Sequence, residues 1–385
     1  MKKLISILVA FAMMASLCVA MAFAADPVPE GTAQTAKLVK YLQAGEGVEV
    51  PEGMTFNFTL TPIAGNPADI DTVEVAIPVS GMTKDANGDY IGSKTIAEIF
   101  TGVTFPKAGE YKFTADEVAT TWTAGNGETL VEDQDTFEVH LYVKNDGTGT
   151  SIDKVTVSDG TDKVDPTEIH NPADDGQDET GKNKGFSFTN TFKKDLIDPD
   201  QGQDEQDKTG VIDVTKTVTG NYADKTYEFP FELTYELPAA NQGAVKYKVL
   251  KKSVTNAADV EEQTATGGKI TFALADGDKL IITQAPQGTK WATLEKLADA
   301  TCQNADKYQA TANGTAFEEG ANASTEEATL TEIGTQAAYE NTLEDTDVTP
   351  TGILINNLPY IVLALVAIGG LVAYVVVRRR QSDEA

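Results

Sequence analysis

Cysteine is almost absent from the 385-residue chain, which contains only Cys18 and Cys302. Cys18 lies in an N-terminal segment that we expect to be removed, so one thiol remains and no internal disulfide can form. Histidine is equally scarce, since the chain has only His140 and His170. Neither has a second histidine or cysteine at metal-ligand spacing, and neither belongs to a recognisable Ser/His/Asp grouping. The sequence therefore predicts no metal, no cofactor and no hydrolytic active site.

Basic residues are few as well. The chain has 30 Lys and Arg against 59 Asp and Glu, which gives a formal net charge of -29. Such an excess argues against nucleic acid and anionic lipid headgroups as main partners. Hydrophobic residues make up 41% of the chain, enough to build folded cores, and the length suggests two or three domains.

The N-terminus has the layout of a secretory signal peptide, which we assign to residues 1–24. Met-Lys-Lys supplies the positive region, an apolar run follows from Leu4, and Ala22-Phe23-Ala24 offers a small-residue cleavage site. An N-terminal membrane helix is the alternative, and the polar, proline-containing stretch that follows the Ala-rich site disfavours it.

At the C-terminus, residues 348–385 read as an anchoring segment. The 20 residues from 358 to 377 carry no charge and are long enough to span a bilayer, and three arginines follow them, which predicts a cytoplasmic tail. Together with Pro350-Thr351-Gly352 they resemble a Gram-positive cell-wall sorting signal, in which a membrane sortase cuts between Thr and Gly. The usual form is Leu-Pro-x-Thr-Gly, and a proline one place late implies a pilus-type sortase. An ordinary single-span membrane protein is the alternative.

Between these ends the sequence is strand-like, with short alternating runs such as 137–143 broken by Gly, Asn and Asp. This pattern predicts an all-β protein of two tandem β-sandwich domains, residues 25–194 and 211–347, joined by a solvated acidic linker over 195–210. Only the Ala/Glu-rich stretch 298–335 remains ambiguous between helix and strand.

Three polar residues recur in the same order in both domains, each in a strand and in phase with apolar neighbours. They are Lys40, Glu117 and Asn190 in the first domain and Lys216, Glu295 and Asn341 in the second. Because side chains two apart on a strand share a face, the phase points these groups into the two cores. The phase is least clear at Glu295, since Thr293 intervenes between it and Trp291.

Buried together, such groups could react with one another. Burial lowers the pKa of a lysine and raises that of a glutamate, so both can become neutral. A neutral amine can attack the asparagine carboxamide, expel ammonia and form an amide, while neutral glutamic acid donates a hydrogen bond to the amide oxygen and shuttles the proton. Taken singly, a snorkelling lysine or an edge-strand asparagine is the alternative explanation.

The chain resembles a streptococcal-type major backbone pilin with two pilin isopeptide-linkage (FctA-like) domains of Ig-like fold, from about Thr35 to Gly352. Residues 105–111, 188–190 and 286–288 (Phe-Pro-Lys-Ala-Gly-Glu-Tyr, Phe-Thr-Asn and Pro-Gln-Gly) support the resemblance. It implies cross-links between Lys40 and Asn190 and between Lys216 and Asn341, promoted by Glu117 and Glu295. The second domain departs from the family pattern at Trp291 and at Tyr339-Glu340-Asn341.

The resemblance further implies a structural subunit of a sortase-assembled surface pilus used in adhesion, not an enzyme. A wall-anchored monomeric adhesin or stalk is the alternative function. Implied partners are a sortase, neighbouring pilin subunits, peptidoglycan, minor or tip pilins and a host ligand. The implied location is the extracellular surface, reached through a membrane-spanning precursor.

In resembling pilins the polymerising lysine precedes the last strand of the first domain. Here that position offers Lys184, then Lys182, with Lys163 as another lysine that could serve.

Overall fold

A computed structural model describes residues 30–169, 185–198, 210–254 and 259–344 of the protein. The predicted signal peptide, the sorting motif at 350–352, the apolar segment 358–377 and the lysines Lys182 and Lys184 all lie outside the described residues. No helix within the described ranges is both long and apolar enough to cross a membrane.

The first domain is a sandwich of two sheets, with one short helix, α1. Its elements are β1 (Lys37–Gln43), β2 (Thr55–Pro62), β3 (Val73–Pro78), β4 (Thr83–Lys84), β5 (Tyr90–Thr95), α1 (Ile96–Ile99), β6 (Gly109–Val118), β7 (Glu128–Val131), β8 (Thr136–Asn145), β9 (Thr150–Ser158), β10 (Lys163–Val164) and β11 (Ser187–Ile197). A six-stranded sheet in the order β10-β9-β8-β6-β2-β3 faces β4, β5, β1, β11 and β7.

Alternation along the strands decides which side chains fill the space between these sheets. In β8, Phe137, Val139 and Leu141 are buried while the residues between them are only partly covered. Aromatic rings join the two layers, because Phe58 of β2 lies 5.1 Å from Phe188 of β11, centroid to centroid. Burial of this apolar surface is the main stabilising contribution to the domain.

A second sandwich follows. Its strands are β12 (Ile212–Thr219), β13 (Phe229–Glu236), β14 (Val245–Leu250), β15 (Gln263–Ala265), β16 (Lys269–Leu274), β17 (Lys279–Pro286), β18 (Lys290–Glu295), β19 (Gln309–Ala312), β20 (Thr315–Ala316), β21 (Ala323–Ser324), β22 (Ala328–Thr329) and β23 (Thr335–Thr342). A sheet of β13, β16, β18, β21 and β22 covers the sheet that contains β12 and β23. The ambiguous stretch 298–335 forms short strands and 3-10 turns and no α-helix.

The two domains share one sheet, because β11 runs past the first domain and pairs with β17 at Asp195–Ile197. Those three residues were assigned to the solvated linker by composition, and the structure places them in a strand instead, with Leu196 buried in the second core. Gln287 is buried at the same junction. Its side-chain oxygen accepts from the backbone N–H of Glu49 at 3.1 Å, and its backbone N–H donates to the Lys194 carbonyl. The all-β architecture of two tandem sandwiches is confirmed.

Candidate cross-linking sites

In the first domain, β1 and β11 run side by side and parallel, so the first and last strands of the domain are direct neighbours. Lys40 is paired with Phe188, and Leu42 with Asn190. Paired residues in a parallel ladder share a face, and so do residues two apart on one strand. The register therefore places the side chains of Lys40 and Asn190 on the same inward face, offset by two residues along the ladder.

Glu117 reaches this face from the opposite sheet, where it follows the inward-facing residues Tyr111, Phe113 and Ala115 of β6. Its Oε2 accepts from Lys40 Nζ at 2.6 Å, and its Oε1 accepts from Asn190 Nδ2 at 2.7 Å. One carboxyl group thus bridges the two groups that the cross-link would join.

The site is sealed from water. Lys40 and Asn190 are fully buried, and the Glu117 side chain is 3% exposed. Desolvation lowers the pKa of Lys40 to about 8, although attraction to Glu117 opposes the shift. Desolvation likewise raises the pKa of Glu117. Both shifts favour the neutral pair over the ion pair, and a neutral amine is the form that can attack a carbonyl carbon.

The second domain repeats this arrangement on different strands. β12 and β23 are parallel, and Lys216 is paired with Tyr339 and Val218 with Asn341, the same two-residue offset. Glu295 Oε1 accepts from both Lys216 Nζ and Asn341 Nδ2 at 2.7 Å. Burial lowers the pKa of Lys216 to about 8 as well.

Phenylalanine rings enclose each lysine amine, a feature that the sequence analysis did not identify. Lys40 Nζ lies 4.7 Å from the ring centroid of Phe56, and Lys216 Nζ lies 4.7 Å from that of Phe229. Both rings come from the strand beside the glutamate strand, and the Phe-x-Phe runs at 56–58 and 229–231 were the available signal. The rings exclude water and direct each amine toward its glutamate.

The contacts of the asparagine oxygen differ from the expectation that glutamic acid would donate to it. Asn190 Oδ1 accepts from the backbone N–H of Asp133 at 2.7 Å, while Glu117 contacts the amide nitrogen. A backbone N–H can only donate, so this contact fixes the orientation of the carboxamide. In the second site, Asn341 Oδ1 and Glu295 Oε2 are buried and have no hydrogen-bond partner among the described residues.

The lowered lysine pKa gives a direct prediction for the variant Asn190→Ala, which keeps the Lys40–Glu117 pair but cannot form an amide. We expect Lys40 to titrate near pH 8, against about 10.4 for an ordinary lysine. The unfolded chain then binds more protons between those pH values, so the free energy of unfolding should rise with pH across that window.

Carbon-13 NMR of the lysine side chains would measure this titration. Wild type is the first control, since an amide-linked Lys40 has no titrating amine, and Lys40→Met in the Asn190→Ala background should remove the signal and its pH dependence. A midpoint near 10 would contradict the assigned burial effect.

In a comparison with known protein families, each of the two domains matches a different family model. The family described as "Spy0128-like isopeptide containing domain" matches residues 36–193, and a domain of unknown function (DUF7601) matches residues 210–342. The first match covers all three members of the first triad, and the second covers all three members of the second.

Two curated relatives come from Streptococcus pyogenes. A pilin of serotype M1 is 27% identical over 184 residues, which are 48% of this chain and 53% of that protein. The pilus tip adhesin Cpa is 32% identical over 130 residues, 33% of this chain and 17% of that protein. The chain thus spans about half or less of the length of these relatives.

Solved structures of major pilins from Streptococcus pyogenes also align with the chain. One crystal structure is 17% identical, covers 81% of this chain and 100% of that chain, and has a TM-score of 0.30. The T-13 pilin of serotype GAS131465 is 17% identical, covers 82% of this chain and 99% of that chain, and has a TM-score of 0.28. The match of residues 36–193 to the Spy0128-like isopeptide containing domain family agrees with the pilin resemblance of the first domain.

Proposed function

We propose that the chain is a structural subunit of a surface pilus whose two domains each close an internal Lys–Asn amide bond. The observation that carries the proposal is the pair of buried Lys–Glu–Asn triads, each linking the first and last strands of its domain through one carboxyl group. A bond at that position ties the two ends of a domain together, which suits a shaft under tension.

The reaction needs no reactant beyond the triad. The neutral amine of the lysine attacks Cγ of the asparagine, and a C–N bond forms as the carbonyl becomes tetrahedral. The protonated glutamate gives its proton to Nδ2 and takes one from the former amine, so that the C–Nδ2 bond breaks and ammonia leaves. The glutamate ends as it began, and each site reacts once, without turnover.

Intact mass tests this chemistry. The exported region, residues 25–351, is expected to weigh less than its sequence by two molecules of ammonia, and Asn190→Ala or Asn341→Ala should each abolish one loss. Peptide mapping should recover Lys40 joined to Asn190 and Lys216 joined to Asn341. Glu110→Ala, on the same strand as Glu117 but at the surface, is the matched control and should keep both bonds. A wild-type mass equal to that of the sequence would contradict the proposal.

Export, sorting and polymerisation complete the proposed function. The signal peptide would deliver the chain across the membrane, and the apolar segment 358–377 would hold it there. A sortase would then join the Thr351 carbonyl to a lysine of the next subunit or to peptidoglycan. These steps rest on the sorting-signal pattern and on the pilin relative.

A wall-anchored, monomeric adhesin stalk is the second candidate, and the match to the pilus tip adhesin Cpa favours it. Both functions use the same self-linked domains and the same surface location. They differ only in whether a lysine of one subunit accepts the Thr351 carbonyl of another.

A further inference from the structure

We propose that the backbone N–H of Asp133 is the oxyanion donor of the first cross-linking site and that the Asp133 carboxylate holds it in position. This inference rests on the proposed amide-forming function. It assigns a role to a loop that belongs to neither of the two reacting strands.

The donor lies where charge would develop. Asn190 Oδ1 accepts the Asp133 N–H at 2.7 Å, and this oxygen becomes negative when the lysine amine adds to the carbonyl carbon. A preorganised N–H at that distance, in a site closed to water, stabilises the oxyanion more than the neutral carboxamide. Glu117 contacts Nδ2 on the other side of the same carboxamide at 2.7 Å, where the departing nitrogen needs a proton.

The fold explains why an N–H is available there. β7 runs antiparallel to β11 and ends at Val131, opposite Thr191. The chain therefore leaves the ladder as it passes Asn190, and the N–H of Asp133 turns to the asparagine side chain instead of to a strand carbonyl.

The Asp133 side chain fixes this turn. One carboxylate oxygen accepts from the backbone N–H of Thr189, the residue before the asparagine, and the other accepts from the N–H of Asp135 at 2.8 Å. The loop is thereby attached to β11 next to the reacting residue. Asp133 is thus both a donor through its backbone and a positioning residue through its carboxylate.

The second domain lacks this device in its described residues. There β19 continues the ladder past the asparagine, with Ala310 paired to Asn341. The backbone of β19 at this point is therefore part of the ladder with β23 and does not turn toward the asparagine side chain. Asn341 Oδ1 is buried and has no hydrogen-bond partner within the described part of the chain. The second site therefore provides an internal comparison within the same molecule.

Replacing the Asp133 amide by an ester isolates the donor. The full chain would be made by cell-free synthesis with a mild detergent, with the α-hydroxy analogue of aspartate at 133, which keeps the carboxylate and removes only the N–H. The α-hydroxy analogue of glutamine at the exposed residue Gln134 is the matched control. Mass spectrometry over time would follow the linked Lys40–Asn190 and Lys216–Asn341 peptides separately.

We expect the ester at 133 to slow the first bond by about 10²–10³-fold, the usual effect of losing one oxyanion donor, and to leave the second bond unchanged. The ester at 134 should leave both rates unchanged. Formation of the first bond at the control rate would overturn the inference while the proposed function stands. Failure of both bonds in wild type would instead overturn the proposed function.

If the ester-containing chain does not fold, side-chain variants of Asp133 test its positioning role instead. Asp133→Ala removes the attachment to Thr189 and should slow the first bond by about tenfold, the value of one hydrogen bond to a charged group. Asp133→Asn keeps an acceptor for that N–H and should restore most of the rate. Wild-type rates in both variants would overturn the positioning role.

Discussion

Glu117→Ala is expected to leave the first domain without its cross-link and to lower its unfolding temperature by about 10–40 °C. Two effects add. The proposed amide between Lys40 and Asn190 would close a loop of about 150 residues, and the chain-entropy model assigns such a closure about 5 kcal/mol. The substitution also leaves a fully buried lysine without its carboxylate.

The second effect has an upper bound. Lys40 can avoid carrying a buried, unpaired charge by losing its proton. For a lysine of ordinary pKa, deprotonation at pH 7 costs about 4–5 kcal/mol of free energy. Asn190→Ala separates the two contributions, because it removes the cross-link and keeps the Lys40–Glu117 pair. We therefore expect Asn190→Ala to be destabilised by about 5 kcal/mol, and Glu117→Ala by up to about twice as much.

Tryptophan fluorescence can measure the first domain alone, because each domain contains one of the two tryptophans. Trp122 packs against Phe192 of β11 with a centroid distance of 5.8 Å, and Trp291→Phe removes the signal of the second domain. Glu110→Ala, made in the same background, is the control and should change stability by less than about 1 kcal/mol. Equal unfolding temperatures for Glu117→Ala and wild type would show that no stabilising bond forms.

Much of the fold followed from the sequence because alternation identifies the inward face of a strand. It placed Lys40, Asn190, Lys216 and Asn341 in the cores. The doubtful phase at Glu295 has a physical explanation: Thr293 is buried on the same face, where its hydroxyl lies 2.7 Å from Tyr339 Oη. A polar residue in an inward phase is thus tolerated where a partner satisfies it.

Strand pairing could not be predicted in the same way. The phase of a strand says which face is buried, not which strand lies beside it, and the two-residue offset between lysine and asparagine depends on long-range parallel pairing. The extension of β11 into the second domain was missed because Asp195 and its neighbours look like linker residues in composition. The Asp133 N–H carries no side-chain signal, since any residue has a backbone donor.

Replacing both Lys182 and Lys184 by arginine is expected to abolish the pilus polymer while leaving both internal bonds intact. These lysines stand in Thr-Gly-Lys-Asn-Lys-Gly, just before the chain enters the first core at Gly185 and continues into β11. A sortase needs an amine that it can reach, so we expect a lysine in the glycine-flanked segment before β11 to be a better acceptor than the sealed Lys40. Arginine keeps the positive charge and provides no amine nucleophile.

An immunoblot of wall extracts boiled in detergent would show the result. Wild type should give a ladder of covalent polymers, and the double variant should give a single band attached to the wall. Lys163→Arg, at the exposed position of β10, is the matched control and should keep the ladder. A ladder that survives the double replacement but disappears in Lys163→Arg would move the acceptor to Lys163. A single band in wild type would favour the monomeric stalk, because the self-linked domains alone do not require a polymer.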